Sequence, residues 1–399
     1  MTATLEFRSV DILFPGQGRR AAGQTLGDAL RQLDAGGSRA VIAQSTGVVV
    51  GVAGASLTVR RGEISVLMGL SGSGKSTLLR AANGLTPVTR GQVLIDDGGT
   101  AVDVAACGST TLRRLRRQRI AMVFQQFGLL PWRTVRENVG FGLELRGDSR
   151  TERTRIVDEK LELVGLTQWA DRYVRELSGG MQQRVGLARA FATDADVLLM
   201  DEPFSALDPL IRGKLQDELL ALQERVKKTI LFVSHDLDEA LKLGDRITIM
   251  EGGRIVQSGT ATDIVLRPAD DYVAEFVRHM NPLTVLTAAM VMRARSGLGH
   301  DGASILLDPA GRYRVKDPGP GVPARVAIDG VAYDVGPVGQ AGVRVHHAPS
   351  DLSLREIIEL RDLSGHPVLL VDDGCWVGVC GDAEILRALA GRRASGPEA

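Results

Sequence analysis

The chain has 399 residues, with 48 basic and 48 acidic side chains, so its formal net charge is zero. That balance argues against a nucleic-acid-binding domain, which shows as a basic excess, and the length suffices for two or three domains at roughly 100 to 200 residues each. No apolar stretch approaches the roughly 20 residues that cross a bilayer. VLTAAMVM near 285–292 is far too short, and the N-terminus lacks the charged start and apolar core of a secretory leader. Cys107, Cys375 and Cys380 are odd in number and lack metal-ligand spacing, as expected in a reducing cytosol.

In chain order, DILFPG at 11–16 leads into an insert of about thirty residues. There TLGDALRQLDAG places Leu26, Ala29, Leu30 and Leu33 on one helical face, so an extra helix is expected before the strand-like GVVVGVAGASLTV. ISVLM at 64–68 is an apolar run of strand length, and TLLRAANGL spaces Leu78, Leu79 and Ala82 as one face of a helix. Between them GLSGSGKST fits G-x-x-x-x-G-K-[ST], with Gly69, Gly74, Lys75 and Ser76 at the fixed places. Glycines 69, 72 and 74 let the backbone curl so that successive amides point inward and cradle phosphate. The expected cradle is Gly69, Leu70, Ser71, Gly72, Ser73, Gly74, Lys75, Ser76 and Thr77. Lys75 is expected to reach the β and γ phosphates, and the Ser76 hydroxyl is a hard oxygen suited to magnesium. A fortuitous glycine-rich turn is the bland alternative, and the later motifs weigh against it.

RRLRRQR at 113–119 reads as a solvated helix face, with a lipid or RNA patch as the alternative. In IAMVFQQFG, Gln125 sits just past an apolar run and offers an amide for both metal and water; Gln126 is a weaker candidate beside it. LSGGM at 177–181 reads as a serine-capped helix start continuing as MQQRVGLARAFA. DVLLMDEP at 196–203 is a buried strand ending in two carboxylates. Strand ends of an open α/β sheet are where ligands sit. Asp201 is placed to hold magnesium, and Glu202, one step along the pleat, to take a proton from attacking water; the alternative is that both merely cap the strand. TILFVSHD at 229–236 delivers His235 to the same edge, where it can meet the γ phosphate. A lone histidine is more often a satisfied core or surface residue, and the strand-end position is what singles this one out.

From about Asn281 the character changes. Residues 295–345 are rich in Gly, Pro and short β-like pieces. SLREIIELRDL then spaces Leu354, Ile357, Ile358 and Leu360 for an amphipathic helix, PVLLVDDGCWVGV reads as a hairpin turning at Asp373-Gly374, and Asp382 is expected to cap a helix over AEILRALAG.

The order P-loop, VFQQ, LSGGM, LLMDEP, SALD and SHD resembles the nucleotide-binding subunit of an ABC transporter over roughly residues 1–280. The resemblance implies an α/β P-loop NTPase cassette, a RecA-like core with an antiparallel β subdomain and a helical subdomain at about 126–190. It implies that Ser178, Gly179 and Gly180 complete the site of a second copy in trans, with Asp208 across the same interface, so that ATP joins two cassettes head to tail. Phe14 is the best match to the aromatic that stacks on adenine, although the insert departs from the usual spacing. The helix, hairpin, helix order at 346–392 resembles one CBS module, after a linker or degenerate CBS-like segment at 281–345. That family carries threonine and aspartate for phosphate and ribose where this chain has Gly381 and Glu384, so a structural or dimer-forming lobe is an equal reading.

Within the family, GLSGSGKSTLLRAANGL, FSALDPLIRGKLQDELLALQ and HDLDEALKLGDRI resemble the glycine betaine, proline and choline importers. The implied function is an ATPase, using ATP and magnesium, that energises import of a quaternary ammonium compound. Its implied partners are an integral-membrane permease and, indirectly, an external substrate-binding protein, at the cytoplasmic face of the cell membrane. The surface from Gln125 to Arg133 would pass movement to the permease. Alternatives are an ABC importer ATPase for another small solute, a non-transport ABC ATPase, which would call for a coiled coil, a zinc CxxC element or a duplicated cassette, and a nucleotide-sensing module, which would have lost some of Lys75, Gln125, Asp201, Glu202 and His235.

Overall fold

The computed structural model describes residues 3–16, 22–125, 128–205, 207–278, 283, 286–316, 319, 321–340 and 343–390. The chain separates into two compact units, divided in sequence between Ala261 and Thr262.

The first unit holds two sheets. One is antiparallel, in the order β2 (Val49–Arg60), β1 (Ala3–Phe14), β4 (Arg90–Asp96), β5 (Ala101–Asp103). The other contains β3 (Ile64–Met68), β6 (Ile120–Val123), β7 (Val197–Asp201), β8 (Thr229–Val233), β9 (Arg246–Glu251) and β10 (Arg254–Gly259), in the order β10-β9-β3-β8-β7-β6. Neighbours from β9 through β3, β8 and β7 to β6 run parallel, and β10 closes the edge antiparallel to β9. Every residue of β3, β7 and β8 is buried, which is why these segments read as unbroken apolar runs rather than alternating ones. Their parallel direction brings the ends of β3, β7 and β8 to one edge, the edge that carries Gly69, Glu202 and Ser234.

The helix Lys75–Ala81 turns Leu78, Leu79 and the following Ala82 into the core that the sheets share. A separate core of Val135, Val139, Leu143, Leu161 and Val185 joins the helices between β6 and β7. The expected insert helix is present at Ala22–Asp34, followed by a second at Arg39–Thr46. RRLRRQR lies on and just past the helix Ser109–Gln118 with only Leu115 turned inward, and its arginines serve the fold: Arg114 and Arg119 pair with Asp97, and Arg119 also pairs with Asp196.

In the second unit β11 (Arg293–Ala294), β12 (Gly299–Asp301), β13 (Ser304–Leu306), β14 (Tyr313–Lys316), β15 (Arg325–Ile328), β16 (Val331–Pro337), β17 (Val345–Pro349), β18 (Val368–Asp372) and β19 (Cys375–Cys380) form one sheet. Its order is β11-β19-β18-β17-β16-β15-β14-β13-β12, so the glycine- and proline-rich stretch and the later helix-hairpin-helix segment share a sheet. The β18–β19 hairpin turns at Asp373 (φ 48°) and Gly374 (φ 75°), the pair of positive φ values that a two-residue type I′ turn needs. Leu354 and Ile357 bury one face of the helix Leu354–Ser364. One expectation is corrected. Gly381, not Asp382, caps the last helix: Glu384 accepts the Gly381 amide at 3.0 Å, and Asp382 instead pairs with Arg361 at 2.7 Å. Glu384 is buried and its other oxygen lies 3.3 Å from Arg293 Nε, an ion pair inside the unit that makes no hydrogen bond.

Candidate functional site: a phosphate loop, a strand-end carboxylate pair and a separate glycine-led helix

The loop after β3 takes positive φ at Gly69 (139°), Gly72 (80°) and Gly74 (101°). A Cβ at Gly69 would run into the carbonyl oxygen of Met250, and one at Gly74 into that of Gly51, so the glycines are required both by torsion and by close backbone approach. Lys75 is buried at 6% exposure, and its Nζ donates to the carbonyls of Gly69 at 2.8 Å and Leu70 at 3.0 Å. Burial pushes its ammonium below the usual lysine range, against the opposing pull of Glu202 and Asp201. Ser73 Oγ is buried with no hydrogen-bond partner among the described residues, a cost that an oxygen-rich anion in the loop would relieve.

Asp201, fully buried at the end of β7, accepts Ser76 Oγ at 2.7 Å on one oxygen and Arg80 Nη2 at 2.9 Å on the other. Glu202 follows with φ 48°, a left-handed backbone that a non-glycine residue adopts at a cost of about 1–2 kcal/mol. Its carboxylate accepts Gln125 Nε2 at 3.1 Å and lies 3.3 Å from His235 Nδ1. Lys75, Ser76, Gln125, Asp201, Glu202 and His235 are therefore one connected cluster drawn from four separate segments. Ser234, buried beside His235, and Gln216 both donate to the buried Glu239, whose carboxyl burial pushes above its ordinary range.

Ser178, Gly179 and Gly180 are not part of that cluster. Ser178 caps the helix Gly179–Ala192 by accepting the Met181 amide at 3.4 Å, and the Gly179 and Gly180 amides have no acceptor among the described residues. Gly180 packs closely on Leu207, since a Cβ there would sit 3.0 Å from its side chain. Asp208 is the N-cap of the helix Pro209–Val226, accepting the Ile211 amide at 3.1 Å. Phe14, at 40% exposure, lies beside the phosphate loop: its ring and the Thr77 methyl both come within 3.3 Å of where a Gly51 Cβ would stand. Gln126 and Ala206 lie outside the described residues.

Two residues were missed in the sequence. Arg80 stands one helical turn after Ser76, and the i,i+4 spacing that puts both on one face was a usable signal. Arg39, in the insert, donates to the Gly72 carbonyl at 3.1 Å, and no local pattern announces a contact across that separation. The donors present suit a hard divalent cation. Ser76 Oγ, Asp201 and the Gln125 amide oxygen are all oxygen ligands, and no three His, Cys, Asp or Glu side chains cluster into a self-contained metal cage among the described residues. Magnesium takes this kind of site, completing its shell with substrate phosphates and water.

A mixed-sheet P-loop core of this order, with its carboxylates at the ends of parallel strands, is the ABC ATPase cassette fold. Residues 52–205 match the ABC transporter family model. The chain is 51% identical over 271 residues, 68% of its length and 66% of the relative's, to the glycine betaine/proline betaine transport system ATP-binding protein ProV of Salmonella typhimurium. It is 49% identical over 251 residues, 63% of its length and 73% of the relative's, to the trimethylamine N-oxide transport system ATP-binding protein TmoW of Ruegeria pomeroyi. The solved dimeric post-hydrolysis state of the ATP-binding cassette MJ0796, bound to ADP and Pi, aligns with a TM-score of 0.53 at 29% identity, covering 64% of this chain and 98% of that one. The chain belongs to the family of ABC transporter ATP-binding proteins. It spans just under two thirds of the length of the glycine betaine relatives, 66% of ProV and 62% of OpuAA of Bacillus subtilis.

Proposed function

We propose that two copies of this chain close head to tail on two ATP molecules and hydrolyse them to drive import of a quaternary ammonium compound, choline or glycine betaine/proline, through a separate membrane permease. The observation that carries the reading is the split in the site: a complete P-loop and carboxylate cluster in one place, and a capped helix start with unanswered amides in another. Amides at a helix N-terminus favour anions, and a second copy's γ phosphate is the anion that geometry suits.

In this mechanism Lys75 exchanges its two carbonyl partners for phosphate oxygens. Glu202, held by Gln125 and next to His235, orients the attacking water and takes its proton, and His235 offsets charge on the transferring phosphoryl. Phe14 stacks on the adenine. Magnesium, held by Ser76, Asp201 and Gln125, would supply charge neutralisation at the phosphates. Asp208 faces the partner copy. The cargo reading is supported by the relatives' names, since glycine betaine, proline betaine and trimethylamine N-oxide all present a fully substituted, methylated nitrogen. No helix among the described residues is long and apolar enough to cross a membrane, which fits a peripheral subunit at the cytoplasmic face of the cell membrane, working with a permease and indirectly with an external binding protein. The second unit, by its helix-hairpin-helix order, is read as a CBS-like lobe; with Glu384 engaged internally, a structural or dimer-forming role fits it best.

Complementation tests the trans arrangement. Lys75→Ala and Ser178→Arg chains should each be inactive alone, whereas their mixture should recover up to about a quarter of wild-type turnover, because half the dimers then hold one site of two intact. A mixture as inactive as its components would break the head-to-tail reading.

A further inference from the structure

The insert between β1 and β2 has no part in the reading above, yet it is braced onto the cassette and reaches the phosphate loop. Its two helices share a small core with the flanking strands through Leu13, Ala29, Leu33, Ile42 and Val50. Arg90 of β4 adds an electrostatic tie, donating to Asp34 at the end of the first insert helix at 2.6 and 2.9 Å and to the buried Asp11 at 2.6 Å. The Arg90 guanidinium is held above its ordinary range by these two carboxylates, and the backbones at Gly16 and Gly47 close the base of the insert, a Cβ on Gly16 having no room beside the Gly47 carbonyl.

From that platform Arg39, the first residue of the second insert helix, extends to the loop and donates Nη1 to the Gly72 carbonyl at 3.1 Å. No carboxylate pairs with it among the described residues. A guanidinium has five donors in a fork that matches phosphate oxygens, and here a single neutral carbonyl engages it. Lys75 is placed in the same way, on the Gly69 and Leu70 carbonyls. Two cations from distant parts of the chain thus rest on neutral oxygens of one loop.

We propose that Arg39 is a further phosphate-binding residue: its guanidinium passes from the Gly72 carbonyl to an oxygen of the bound triphosphate, and the insert exists to hold it there. The inference rests on the nucleotide reading of the loop. Exchange of a neutral acceptor for an anionic one roughly doubles the strength of the hydrogen bond, which gives the contact a net contribution to affinity even at a half-exposed position.

The test uses the full chain and measures affinity for ATP and for adenosine, which has no phosphate, in wild type, Arg39→Ala, Arg39→Lys and Lys75→Ala, with a thermal melt of each. Arg39→Ala should weaken ATP about tenfold and leave adenosine unchanged, Arg39→Lys should fall between, and the melting temperature should move by less than about 2 °C because the side chain is not in a core. If Arg39→Ala binds ATP within about twofold of wild type while Lys75→Ala loses it, the role of Arg39 is overturned and the nucleotide reading stands. An equal loss for adenosine also overturns the phosphate contact. If wild type itself binds no ATP, both readings fall.

Discussion

The phosphate-loop half and the glycine-led half of the proposed site differ in how far one chain satisfies its own polar groups. Around the loop almost every charge is answered at home: Lys75 by two carbonyls, Asp201 by Ser76 and Arg80, Glu202 by Gln125 with His235 beside it. At the other half Ser178 spends its oxygen on its own helix, and the next two amides are left unanswered. Buried polar groups mostly find partners because leaving one unmade costs about 1–3 kcal/mol, Ser73 Oγ being the exception in the loop; donors at a helix start that stay open to solvent bear less of that penalty and are free to wait for a ligand. In the proposed function the first half binds by itself, and the second gains a use only when something anionic is brought to it.

The largest effect that sharpens this contrast is on the chemistry alone. Glu202→Gln should lower ATP turnover by about a thousandfold while ATP binding persists and a dimer accumulates on size exclusion with ATP; wild-type turnover in this variant would sink the assignment of the base. Next, Lys75→Ala should weaken ATP binding to the isolated chain about a hundredfold, whereas Ser178→Arg should leave that affinity unchanged and lose turnover. Equal binding losses in the two would erase the distinction between the halves.

Smaller effects test the supports. Asp208→Ala removes a helix N-cap and should cost about 1 kcal/mol of stability; a larger loss of turnover than of stability would give Asp208 a second role at the copy-to-copy interface. Glu239 tests the buried layer beneath His235. Burial raises its carboxyl above the ordinary value of 4.5, so its contribution to stability is fully present below that value and is lost as pH rises through the raised one. Glu239→Gln cannot ionise. Its melting temperature should therefore gain on wild type as pH rises from the ordinary carboxyl value of 4.5 through the raised one, and a gap that does not change with pH would count against a desolvated carboxyl.

Much of the site was legible because its chemistry is written in short segments. GLSGSGKST shows its loop through glycines that take positive φ, although the close approach of the Met250 and Gly51 carbonyls that also demands them comes from the fold, VLLMDEP and ILFVSHD place polar residues at the ends of strands buried on both faces, and Asp373-Gly374 specifies its turn through two positive φ values. Other features were beyond such patterns. The cap of the last helix was placed one residue late because Asp382 is a good capping residue in isolation, whereas the fold gives Glu384 the Gly381 amide and turns Asp382 to Arg361.

By itself the sequence determined the phosphate loop, the strands and helices that flank its motifs, the last hairpin and the identity of the strand-end carboxylates, since these depend on interactions within a few residues of chain; the single sheet that takes in 293–349 did not show there. Only the tertiary structure decided that Arg80 shares Asp201 with Ser76, that Gln125 and His235 meet at Glu202, that the amides after Ser178 stay apart from this cluster, and that the insert sets Arg39 on the phosphate loop. Those contacts join residues far apart in the chain, and their distances come from how sheets and helices pack rather than from any local periodicity.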